Sequence, residues 1–146
     1  MPKLEKLSYF VDPQIAALPA EYSAGAVTAV AVDASGGFDR VQHVVSVGAY
    51  ETSAGFDVEI TESATSGGSY TLITGSGATA LVGTAATSTF SKIIILDVPV
   101  NNAKPFQKIR GTATTAAVSV CAIANCYNGS RSLGTSMADV QEEVVV

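Results

Sequence analysis

The stretch Phe56-Asp57-Val58-Glu59-Ile60-Thr61-Glu62 decides the fold class. Its apolar side chains fall on every second residue. Phe56, Val58 and Ile60 therefore share one face of a strand, and Asp57, Glu59 and Thr61 share the other. One buried face and one wet face is the habit of an antiparallel sheet. The flanks keep the same grammar. Upstream, residues 26–32 and 40–47 are rich in β-branched residues at strand spacing and are separated by the turn Asp33-Ala34-Ser35-Gly36-Gly37. Downstream, a Ser/Thr/Gly hairpin over 63–69 leads to a strand at 70–74, and Gly75-Ser76-Gly77 turns the chain again. Residues 90–98 form a strand buried on both sides for part of its length, closed by Pro99. Residues 106–114 alternate with Phe106 and Ile109 on different phases, which predicts a bulge or face switch near Lys108. Residues 118–124 alternate cleanly, with Val118, Val120, Ala122 and Ala124 on one face and Ser119, Cys121 and Ile123 on the other.

No segment reads as a long helix. About seven or eight short antiparallel strands, with turn residues between them, predict an all-β chain folded as a single β-sandwich or jelly-roll. The sandwich is expected over residues 26–127, between an N-terminal arm (1–25) and a C-terminal arm (128–146). Pro2, Pro13 and Pro19 interrupt the first arm, and Asp12-Pro13 fits the N-cap and first position of a helical turn or two reaching Leu18. Leu4, Leu7, Tyr9, Phe10 and Val11 at one end, and Val144, Val145 and Val146 at the other, are apolar enough to need a surface to lie on.

Composition excludes several classes. Ala, Ser, Thr and Gly make up 64 of 146 residues, and charged residues only 14%. Disorder needs low hydrophobicity and high charge, whereas 47% of this chain is hydrophobic. A net charge of −5 argues against a nucleic-acid partner. No run approaches the ~20 apolar residues of a membrane-spanning helix, and the N-terminus lacks the apolar core of a signal peptide. Cys121 and Cys126 would stand about 16 Å apart in one strand, beyond disulfide reach, and read as two small buried thiols.

No chemistry is visible in the motifs. His43 is the only histidine, has no ligand-spaced companion, and reads as a structural or surface residue. Asp57 and Glu59 share a strand face with Glu62 just beyond, but no loop supplies further oxygen ligands, so a solvated face is expected. The glycine turns lack the Lys-Ser/Thr and following helix of a phosphate loop. No catalytic, cofactor-binding or metal residue is assigned, and the chain is expected not to be an enzyme. Lys104, Lys108, Arg110 and Arg131 form a modest basic cluster that is either ordinary surface charge or a contact for an acidic protein.

The segment 56–73 resembles one found in small β-sandwich virion proteins of tailed bacteriophages. There a strand ends in a Glu-Ser pair, here Glu62-Ser63, a Ser/Thr/Gly hairpin follows, and the chain returns with a Tyr-Thr strand, here Tyr70-Thr71. Residues 105–114 with 118–123 resemble the closing hairpin of that group, and the likeness extends over about 40–125. It implies a capsid decoration (cement) protein on the outside of a phage head, made in the host cytoplasm. Its partners would be the major capsid protein and further copies of itself, most simply as a homotrimer. A neck, tail or head-fibre protein is the neighbouring reading; a carbohydrate- or receptor-binding module is another, with Tyr50 and Tyr70 as its only turn-side aromatics. The distribution of charge agrees with assembly. Residues 63–91 and 111–130 carry none, and a module that buries such surface against neighbours does not need charge there.

Overall fold

The computed structural model describes residues 11–23, 25–49, 54–80, 90–128 and 140–145. Eleven strands run in chain order: β1 (Val11–Tyr22), β2 (Gly25–Ala26), β3 (Val32–Asp33), β4 (Arg40–Ala49), β5 (Gly55–Ser63), β6 (Thr71–Leu72), β7 (Ala78–Ala80), β8 (Phe90–Pro99), β9 (Phe106–Thr114), β10 (Val118–Tyr127) and β11 (Val140–Val145). Among the described residues there is no helix.

The strands form two sheets. One has the order β1-β10-β4-β8-β11, the other β2-β9-β5-β6, with β3 also on β9 and β7 also on β5. β2 and β3 share one edge of β9, and β6 and β7 share one edge of β5, so each pair counts as one interrupted strand. Eight strands then remain before β11. In chain order the first sheet reads 1-8-3-6 and the second 2-7-4-5. That interleaving is a jelly roll. β11 adds a further strand, parallel to the edge of β8.

The core lies between the sheets. Phe56, Val58 and Ile60 of β5 point inward as their spacing predicts, and meet Val41, Val45 and Val47 of β4, Ile94, Leu96 and Val98 of β8, and Val118, Val120, Ala122 and Ala124 of β10. Small residues set how closely the layers approach. Gly111 of β9 takes an inward phase, and a Cβ there would stand 2.7 Å from Cζ of Phe56 and 3.2 Å from Cγ2 of Val27. The Phe56 ring is fully buried and has no free space to retreat into. Gly111→Ala is therefore expected to overpack this layer and cost about 1–3 kcal/mol, read as a lower denaturant midpoint at unchanged slope.

Four local readings are corrected. The helical turn expected over 12–18 is absent, and residues 11–22, expected in an irregular arm, are β1, paired with β10 from Val11↔Tyr127 to Tyr22↔Val118. β1 is a sheet edge, where a proline's missing N–H is tolerated; Pro13 sits opposite Asn125, and Pro19 lies in the second of two register shifts. Residues 26–32 are not one strand. Val27 N–H donates to the Gly111 carbonyl (2.9 Å) and Val30 N–H to Ala16 (2.8 Å), so the segment leaves β9 for the edge of β1 before returning as β3. β9 has neither bulge nor face switch: its register with β5 is continuous, and Gln107, Ile109, Gly111 and Ala113 all point inward. Finally, the described end of the C-terminal segment, 140–145, is a strand, and it joins in parallel rather than antiparallel.

Candidate functional site

Lys104, Lys108 and Arg110 come together at the outer face of the β9–β5 sheet, and each has a partner. Arg110 Nε donates to Glu59 Oε2 (2.8 Å), with the other guanidinium nitrogen on the same oxygen. Lys104 Nζ lies 3.4 Å from Glu62 Oε1 and donates to Thr71 Oγ1 (2.9 Å). Lys108 sits over the Tyr70 ring, 4.5 Å from its centroid. Glu59 and Glu62 are thus partners of the basic side chains, not a separate acidic pair. These exposed pairs are screened and each contributes well under about 1 kcal/mol. Glu59 and Glu62 thus offset the charge of Arg110 and Lys104, while Lys108 keeps its charge over the Tyr70 ring. Thr61, expected on the wet face, is buried, and its hydroxyl donates to the Lys108 carbonyl (3.1 Å).

The opposite outer face has a different character. On β10, Ala122 and Ala124 point inward and Ile123 between them points out, 49% exposed. Directly across the ladders, Ile123 pairs with Ile15 of β1 on one side and Val44 of β4 on the other; Val44 in turn pairs with Ile95 of β8. Residues opposite each other in a ladder share a face. Ile15, Ile123, Val44 and Ile95 thus form one apolar row across four strands. Ile15 is 52% exposed, and Val44 and Ile95 are half-buried. The next row holds Cys121, Ser46 and Ile93, and Leu18 stands 58% exposed nearby on β1. An open groove of roughly 420 Å³, lined by Pro19, Ala20, Glu21, Ser46, Ser119 and Cys121, continues the same face.

At the other end of this face the polar residues are sealed. Asp97 of β8 is fully buried; Arg40 Nε donates to its Oδ1 (2.8 Å) and the Tyr127 hydroxyl donates to its Oδ2. Burial, the bond to Asp97 and its negative charge push the Tyr127 phenol up to about 12. This is a stabilising network with no open cleft beside it. Among the described residues no three His, Cys, Asp or Glu side chains gather as a metal site. Cys121 and Cys126 are free, on one strand as expected; Cys126 is buried, which pushes its thiol up to about 12, while Cys121 is half-buried rather than buried. His43 is fully buried, a structural residue.

The remaining interface residues expected from the sequence divide in two. Val11 begins β1, opposite Tyr127, and Val144 and Val145 lie in β11 opposite Leu96 and Asp97. Leu4, Leu7, Tyr9, Phe10, Arg131 and Val146 lie outside the described residues, as does Tyr50. The row itself went unread. Ile123 gave a signal, an isoleucine on the wet phase of an alternating strand, but Ile15, Val44 and Ile95 join it only through the register.

No protein-family model matches the chain, and no curated protein matches it in sequence. Among solved structures it is similar to a chain in a structure described as that of the infectious bursal disease virus Gx strain, at 11% identity and a TM-score of 0.48. The match covers 90% of this chain and 34% of that one, so the present chain spans about a third of the viral chain's length. The jelly roll itself rests on the strand order of the two sheets, not on this likeness.

Proposed function

We propose that the chain is a non-enzymatic virion structural protein, a decoration protein seated on the outside of a phage head through the outer face of the β1-β10-β4-β8 sheet. The observation that carries this reading is the in-register row Ile15, Ile123, Val44 and Ile95. The resemblance of segments 56–73 and 105–123 to tailed-phage virion proteins supplies the kind of particle. Burying the exposed half of Ile15 and of Ile123 contributes roughly 2 kcal/mol each. Such modest anchors suffice when copies bind side by side on a lattice and reinforce one another. The major capsid protein and neighbouring copies of the chain are the partners this requires.

The test is co-sedimentation with purified heads lacking the protein. Wild type is expected to saturate the heads. The double variant Ile15→Lys/Ile123→Lys is expected to keep its melting temperature, because both sites are exposed, and to lose about 100-fold or more in affinity. Equal occupancy by wild type and variant contradicts the proposed seat.

A further inference from the structure

The two sheets are tied at one end by two glutamines, and one of the ties runs through a buried histidine. Gln14 of β1 reaches the opposite sheet at β3, where its Nε2 donates to the Asp33 carbonyl (2.7 Å) and its Oε1 accepts from the Asp33 N–H (2.8 Å). The same Nε2 also donates to Asp12 Oδ2 on β1 (2.8 Å). Gln107 of β9 crosses in the other direction. Its Nε2 donates to the Pro99 carbonyl at the end of β8 (3.2 Å), which turns its Oε1 toward His43 Nε2 of β4, 2.9 Å away. Oε1 is only an acceptor, so His43 must carry its proton on Nε2. Its Nδ1 is buried and has no hydrogen-bond partner among the described residues.

We propose that His43, held by the Gln107–Pro99 tie between the two sheets, is an acid-sensitive point of the sandwich: its protonation keeps the Nε2–H bond to Gln107 but places a charge and an acceptorless Nδ1–H in the core, and so destabilises the folded state at that end. A second proton can enter only at Nδ1. There it becomes a buried N–H without an acceptor, on a ring that now carries a buried charge. Both costs fall on the folded state. The surroundings offer little relief. The strand partners of His43 are Ala124 on β10 and Leu96 on β8, both apolar, and β9 contributes the Gln107 amide, whose oxygen favours the charged ring at Nε2 but leaves Nδ1 unserved. The charge that acts on the ring is Asp97 of β8, which favours protonation but is already held by Arg40 and Tyr127. Burial prevails and lowers the His43 pKa to about 4.

The sign follows from linkage. A histidine depressed in the folded state is neutral there while the unfolded chain takes up a proton. Its contribution is complete above about pH 6.5 and is lost as pH falls toward about 4. Between pH 7.5 and 4.5 the unfolding equilibrium constant should rise on the order of 50-fold from this residue alone. Urea unfolding of the full chain at the two pH values, beside His43→Gln, isolates that part, because glutamine can donate to Gln107 at any pH. The expected result is a rise in the wild-type unfolding constant that exceeds the variant's by that factor. Equal rises in the two proteins overturn the proposal. A second readout needs no variant: the imidazole nitrogens of the native protein, followed by NMR, should report an Nε2–H ring that stays neutral at pH 5.5. A ring that titrates near pH 6.5 while the protein stays folded overturns it as well.

Discussion

Ile60→Asp is expected to leave the chain unfolded at neutral pH. Ile60 is fully buried at the middle of β5, facing the core between the sheets. Its strand is interior to its sheet, with β9 on one side and β6 and β7 on the other. A carboxylate there loses the apolar burial of isoleucine, about 2–3 kcal/mol, and adds an unpaired charge at a cost of several kcal/mol. The sum reaches the whole stability of an ordinary domain, about 5–15 kcal/mol. Ser76, in the turn between β6 and β7, gives no help, because its hydroxyl donates to the Ile73 carbonyl (2.7 Å) while its oxygen accepts from the Ile60 N–H (3.0 Å). Ile60→Val serves as the control and should cost about 1 kcal/mol. Circular dichroism and a melting curve decide; an Ile60→Asp protein with a cooperative melt near that of wild type shows the inward phase of β5 to be wrong.

Arg40→Met is expected to cost about 3 kcal/mol, the second largest effect. Arg40 starts β4 and its guanidinium holds the buried Asp97 carboxylate, also reaching the Asp97 carbonyl (3.0 Å). Methionine keeps most of the aliphatic stem and removes the charge. Breaking a buried pair by deleting one partner typically costs 3–5 kcal/mol because the other charge is stranded. The lower end applies here, since the Arg40 side chain is 21% exposed and Tyr127 still donates to Asp97. Adding Asp97→Asn to Arg40→Met should recover part of the loss, because a neutral amide is cheaper to bury than a lone carboxylate. A single Arg40→Met variant within 0.5 kcal/mol of wild type, measured by denaturant unfolding (~0.5 being the scatter of an ordinary surface change), removes Asp97 from the residues that hold the fold.

Much of this architecture was legible in one dimension. β5 and β10 announce themselves by strict alternation, and the turns between strands by glycine, serine and asparagine. β1 was not legible, because Asp12-Pro13 has the chemistry of a helix start and Pro13 and Pro19 look like interruptions. Pairing with β10 overrides that local preference, and an edge strand tolerates the prolines. The face switch expected in β9 rested on Phe106 and Ile109 falling on different phases. The inward phase is held instead by Gln107, whose amide is used by His43 and Pro99, and Phe106 is only half-buried. The candidate surface was the least legible part. Ile15, Val44, Ile95 and Ile123 lie on four segments distant in sequence, and only the register of three ladders makes them neighbours. The basic residues show the converse: Lys104 and Arg110, grouped in sequence, meet Glu62 and Glu59 of β5, partners that only the fold brings to them.

Cryo-electron microscopy of particles from the source that encodes the chain tests the proposed phage-head role most directly. The account predicts jelly-roll density on the outside of the head, with Ile15 and Ile123 turned against the capsid protein or a neighbouring copy. A particle without this chain, or one in which it is present with Ile15 and Ile123 facing solvent, contradicts it.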